Sequence, residues 1–115
     1  TFQENKDKAV TIPYRELLRN TEQYQGHLVT YDGKITQVVS EDNGLFELHV
    51  AVTKDDYSIW RDNLNVTCRS ATRLLPGDLI SLVGTVDGRD TYNTIGGLEV
   101  TIPKVYALNI EIYPQ

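Results

Sequence analysis

The chain is short of several things, and each shortage excludes something. It has one cysteine, Cys68, in 115 residues. A single thiol cannot build an internal disulfide framework or a cysteine cluster for zinc. Cys68 falls on the phase of Leu64 and Val66, so it reads as a small buried hydrophobe rather than a reactive thiol. There are two histidines, His27 and His49. They lie on separate strand phrases, outside any His-x-x-x-His spacing, and read as solvent-facing strand residues. No run of about 18 apolar residues exists, so no membrane-spanning helix is expected.

Positive charge is scarce as well. Eleven Lys and Arg stand against sixteen Asp and Glu, a net charge of -5. Nucleic-acid binders draw much of their affinity from neutralising phosphates, so the balance argues against that class while leaving room for a local basic patch. Methionine is absent, and the chain begins at Thr1. A signal peptide or lipid anchor would lie upstream, and membrane association is expected only through such a segment.

Catalytic motifs are missing too. There is no Gly-x-Ser-x-Gly elbow and no phosphate-cradling Gly-x-x-x-x-Gly-Lys. The paired carboxylates Glu41-Asp42 and Asp55-Asp56 sit in polar turns, where adjacent side chains diverge. Asp87-Gly-Arg-Asp90 starts like a calcium loop but lacks its ligand spacing and closing glutamate. Asn65-Val-Thr67 is a glycosylation sequon inside a strand phrase, which we expect to be idle. No enzyme, cofactor or metal site is expected.

What the chain does have is a series of strand-sized phrases. Residues 1–10 alternate charges and read as a polar tail or linker, followed by one domain over 11–115. Pro13 opens a short helix to Asn20, since proline at a first helical turn sacrifices no hydrogen bond. Tyr14, Leu17 and Leu18 share one face of it and form a plug for one end of the core. A first strand runs from His27 to Val39 with Val29, Tyr31, Gly33 and Ile35 in phase. Asn43-Gly44 marks a hairpin turn. Leu45 to Thr53 then places Phe46, Leu48, Val50 and Val52 inward, with Glu47, His49 and Ala51 outward. Asn63 to Arg69 gives a third strand, and Leu79 to Val86, after the Pro76-Gly-Asp78 turn, a fourth. Asp87 to Gly97 reads as a long loop. Leu98 to Ile102 begins a fifth strand that meets Pro103, the mark of an edge or bend. Five strands with a mid-strand glycine in the first and fourth predict an all-β fold. The specific expectation is a five-stranded OB-type Greek-key barrel with a short N-terminal helix.

Such barrels bind on the face of the second and third strands, bordered by neighbouring loops. That border holds Tyr57, Trp60, Arg61, Arg69, Arg73 and Tyr92, an aromatic and guanidinium set that we take as the candidate ligand-binding rim. Arg89 and Asn93 lie beside it.

Several phrases also resemble a small OB-fold family of Gram-positive bacteria and their phages. They are Ile12-Pro-Tyr-Arg-Glu-Leu-Leu-Arg-Asn20, Tyr24-Gln-Gly-His-Leu-Val29, Gly33-Lys-Ile-Thr-Gln-Val38, Arg73-Leu-Leu-Pro-Gly-Asp78, Gly84-Thr-Val86, Gly96-Gly97 and Thr101-Ile-Pro103. The family consists largely of uncharacterised lipoproteins and surface proteins. It is similar to the C-terminal domain of a clostridial toxin-operon negative regulator. The resemblance implies an extracytoplasmic, membrane-anchored or secreted location and carries over no catalytic residues. The combined expectation is a non-catalytic binding domain of a cell-envelope protein with a protein or peptide ligand. Two alternatives stand beside it: a single-stranded nucleic-acid-binding module, and a self-associating module that uses the strand edge at Pro103. Oligomeric state is left open.

Overall fold

A computed structural model describes residues 2–114. Two short helices, α1 (Phe2–Lys8) and α2 (Tyr14–Arg19), and a 3-10 turn (Thr21–Tyr24) lead into five strands. These are β1 (Leu28–Asp42), β2 (Leu45–Lys54), β3 (Trp60–Arg69), β4 (Leu79–Asn93) and β5 (Glu99–Ile112). They close in the order β1-β2-β3-β5-β4, with β4 returning to β1. Every neighbouring pair is antiparallel except β3 and β5. One parallel seam in a closed five-stranded Greek key is the OB topology, so the expected fold is the one found.

Alternation along the strands builds the interior. Val29, Tyr31 and Ile35 of β1 meet Phe46, Leu48 and Val50 of β2, Leu64, Val66 and Cys68 of β3, and Ile80, Leu82 and Val86 of β4. On β5 the inward phase is Val105 and Ala107. Burial raises the Cys68 thiol to about 11, as suits a packed hydrophobe. Leu17, the fully buried residue of α2, and Ile12 complete the core, so the short helix is the plug expected of it.

A closed barrel needs strands that serve two neighbours. Residues Leu28–Lys34 of β1 pair with β4, and Lys34–Asp42 pair with β2. The handover falls at Gly33, where a Cβ would lie 2.5 Å from the Ala51 carbonyl oxygen and 2.7 Å from Val50 Cγ1. Only a missing side chain lets β2 cross so closely. Gly84 is the counterpart on β4, with a Cβ position blocked by the Tyr106 carbonyl.

Three local expectations change. The polar stretch read as a tail is helical over Phe2–Lys8; Asn5 donates to Asn109 (3.1 Å) and Lys6 reaches Ser81 (3.4 Å). Residue 1 lies outside the described residues. The long loop after Val86 is instead a continuation of β4. The ladder to β5 breaks at a bulge between Val86 and Arg89, where Gly88 takes φ +82°, and resumes from Arg89↔Pro103 to Asn93↔Glu99. The result is a two-stranded arm with its turn at Thr94–Leu98. Finally, the edge expected at Pro103 is confined to this arm, because the next residues, Lys104–Tyr106, pair with β3, and Val105 and Tyr106 also pair with β4.

Candidate functional site

The arm is anchored at its root. Arg89 Nε donates to Thr21 Oγ1 (2.9 Å), and its Nη2 pairs with Glu22 (2.5 Å). Arg89 is therefore a fastener between β4 and the 3-10 turn rather than a member of a ligand rim. Cross-strand Thr91 and Thr101 hydroxyls lie 2.9 Å apart and hold the two halves in register.

Fixed this way, the arm lays Tyr92 against His49 of β2. Their ring centroids are 4.7 Å apart, tilted by 43°. His49, expected at the solvent face, is buried at 8% exposure because the arm covers it. Desolvation lowers its pKa below the ordinary value, against an opposite pull from the Glu47 and Asp90 carboxylates. A lowered value leaves the ring neutral at pH 7.

Beside the ring pair lies a polar triad. Asn65 of β3 stands opposite His49 in the β2–β3 register and is fully buried. Its amide nitrogen donates to Glu47 Oε2 (2.9 Å) and to Asp90 Oδ2 in a short contact. Asn65 Oδ1 has no hydrogen-bond partner among the described residues. A buried unpaired acceptor costs about 1–3 kcal/mol, so the position is held against a local penalty. The sequon at Asn65 is idle for a plain reason: both amide hydrogens are engaged and the side chain is sealed from solvent.

Between the arm, the C-terminal half of β1 and the face of β2 runs a groove of about 460 Å³. Tyr92 and His49 form its aromatic wall, Glu47 and Asp90 its acceptors, and Gln37 and Asn93 its amides. Val39 and Ile95 add exposed apolar surface at its mouth.

A second groove, of about 590 Å³, is lined by Tyr14 and its neighbours on α2. The Tyr14 hydroxyl donates to the Asn63 carbonyl (2.8 Å), and Asn63 Oδ1 accepts from Thr36, whose hydroxyl also reaches the His49 carbonyl (3.2 Å). This chain of contacts joins the two grooves. Burial pushes the Tyr14 hydroxyl up to about 12, with Asp62 and the nearby Tyr92 adding to the rise.

The expected rim is dispersed. Tyr57 projects at 86% exposure from the β2–β3 turn, where Asp55 caps the backbone of Tyr57 and Ile59. Trp60 opens β3 with Lys54 Nζ 5.9 Å from its ring centroid. Arg61 follows, 3.6 Å from Asp55. Arg69 stands at the opposite end of β3, about 30 Å along the strand at some 3.3 Å per residue. Arg73 lies beyond it, lining a separate apolar hollow with Phe46 and Leu74. Only Tyr92 reaches the central groove. The alternating Arg89-Asp-Thr-Tyr92 phrase was the available signal for the arm, masked by the glycines on either side of it.

No protein-family model matches the chain, and no curated protein does. Among solved structures it is similar to the mitochondrial single-stranded DNA binding protein Rim1 of S. cerevisiae. The identity is 12%, over 76% of this chain and 95% of that one, with a TM-score of 0.49. It is also similar to a small single-stranded DNA-binding protein of Streptomyces coelicolor, at 17% identity over 77% and 95%, with a TM-score of 0.46. The expectation of a cell-envelope domain with a protein or peptide ligand is corrected here. These neighbours are DNA-binding proteins, and the rim that motivated a protein contact is not one surface.

Proposed function

We propose that this barrel is a non-catalytic module that binds single-stranded nucleic acid, taking unpaired bases into the groove between the arm and the outer face of β1 and β2. The observation that carries the reading is the Tyr92–His49 ring pair set in that groove. A base has a π-face whatever its identity, and stacking on an aromatic side chain is worth about 1–3 kcal/mol per base. The polar groups beside the rings suit base edges. Glu47 and Asp90 accept from exocyclic amino groups, while the Gln37 and Asn93 amides both donate and accept. The same carboxylates repel phosphate, which supports an orientation with bases inward and backbone outward. A neutral His49 suits a stacking surface on which a second charge is not required.

The test is a titration of labelled single-stranded oligonucleotides, with duplex controls, followed by fluorescence anisotropy. We expect saturable binding to single strands in preference to duplex. Tyr92→Ala should weaken it about 5- to 150-fold, the equivalent of one lost stacking partner, with the cooperative thermal unfolding of the barrel retained. Absence of single-strand binding at low salt overturns the reading.

A further inference from the structure

A chain of net charge -5 that binds a polyanion must gather its cations somewhere, and the base groove holds none. The groove lined by Tyr14 does. Arg15 and Arg19 of α2 line one wall and Arg61 of β3 the other, with Tyr14 and Thr53 between them. Three of the eleven basic residues thus border one depression. All three are exposed. Arg61 is partly matched by Asp55 at 3.6 Å, and Asp62 also lines the groove. Among the described residues, no hydrogen bond or ion pair engages the side chain of Arg15 or Arg19. Four residues apart on α2, these two present their side chains on the same helix face. Nothing in the packing of the barrel requires them: the buried member of that helix is Leu17.

We infer that the groove lined by Arg15, Arg19 and Arg61 takes the phosphates of the single strand whose bases occupy the neighbouring groove. This rests on the base-binding reading and extends it with a path for the backbone. The two grooves have no lining residue in common, but the hydrogen-bonded chain Tyr14–Asn63–Thr36–His49 connects the wall of one to the wall of the other, so a strand leaving the Tyr92–His49 rings along that chain meets the guanidinium groups next. The chemistry differs on the two sides in the sense a nucleic acid needs. Carboxylates and rings line one, and planar guanidinium donors that pair two-pronged with phosphate oxygens line the other. The acidic balance of the whole chain is then compatible with binding, because phosphate meets cations in one place and carboxylates face base edges in another.

Salt dependence tests the path. The logarithm of affinity for a single strand falls with the logarithm of salt concentration at a slope of about -0.7 per neutralised phosphate, so three arginines predict a slope near -2. The double variant Arg15→Gln/Arg19→Gln should bind more weakly at low salt and lose about 1.4 of that slope. Tyr92→Ala should lose affinity with its slope unchanged. Thermal melts establish that each variant folds, which the exposure of both arginines predicts. If wild type and double variant have the same slope, the phosphate path is wrong and the base groove stands. If the arginine change flattens the slope while Tyr92→Ala binds normally, the path stands and the base groove falls. No binding by wild type at low salt overturns both.

Discussion

His49 is the residue at which burial and charge pull in opposite directions. The arm desolvates its ring, and desolvation lowers its pKa more than Glu47 and Asp90 raise it. In the unfolded chain the ring recovers an ordinary pKa of about 6.5. Between the lowered folded value and that unfolded value, the unfolded chain binds a proton that the folded one does not. Stability linked to His49 is therefore complete above the unfolded pKa and is lost as pH falls through that value toward the folded one. Melting temperatures of wild type and His49→Gln, compared from pH 7.5 to 5.5, measure this. Wild type should lose more stability across the interval, since the carboxylate contributions are common to both proteins. Equal losses would mean that His49 keeps an ordinary pKa and is not covered by the arm.

At the scale of the element, Gly33 and the arm stand at opposite ends of what the sequence disclosed. Gly33 was legible because a glycine in phase with Val29, Tyr31 and Ile35 interrupts an inward row, and a bent strand explains it. The structure supplies the obstacle, the Ala51 carbonyl at 2.5 Å from the Cβ position. Gly33→Ala should accordingly destabilise the barrel by about 1–3 kcal/mol, as overpacking does, measured as a lower urea midpoint. Loss of unfolded-chain freedom works the other way by about 0.4–1 kcal/mol, so the steric term decides the sign. An unchanged midpoint would mean that β1 and β2 can move apart at the crossing. The arm, by contrast, was hidden. Gly88, Gly96 and Gly97 supply loop composition, yet one marks a bulge and the others belong to the tip of a hairpin. Missing the arm removed the cover over His49, the Asp90 contact with Asn65 and the wall of the groove. The strand phases identified the outward row of β2, while long-range pairing between Arg89–Asn93 and Glu99–Pro103 decided which side chains meet on it.

For the whole molecule, the same division predicts two levels of stability. Each strand is hydrogen-bonded on both sides within the barrel, and fully buried Leu48, Leu64, Ile80 and Leu82 fill its centre. Beyond the bulge, β4 and β5 pair only with each other, and exposed Ile95 and Leu98 sit at the tip. An isolated two-stranded hairpin is marginal in water. The arm's order therefore depends on the Arg89 fastening and on Tyr92 lying against His49. Amide hydrogen exchange should separate the two levels: slowest in Leu28–Ile35 and Leu79–Thr85, faster by local opening in Thr91–Thr101. Single-stranded oligonucleotide should slow exchange in the arm far more than in the barrel, because a base against Tyr92 binds only the closed arrangement and stabilises it by mass action. Arm and barrel exchanging at one common rate without ligand would show that the groove is a fixed part of the barrel wall. A saturated complex that leaves arm exchange unchanged would place the bases elsewhere.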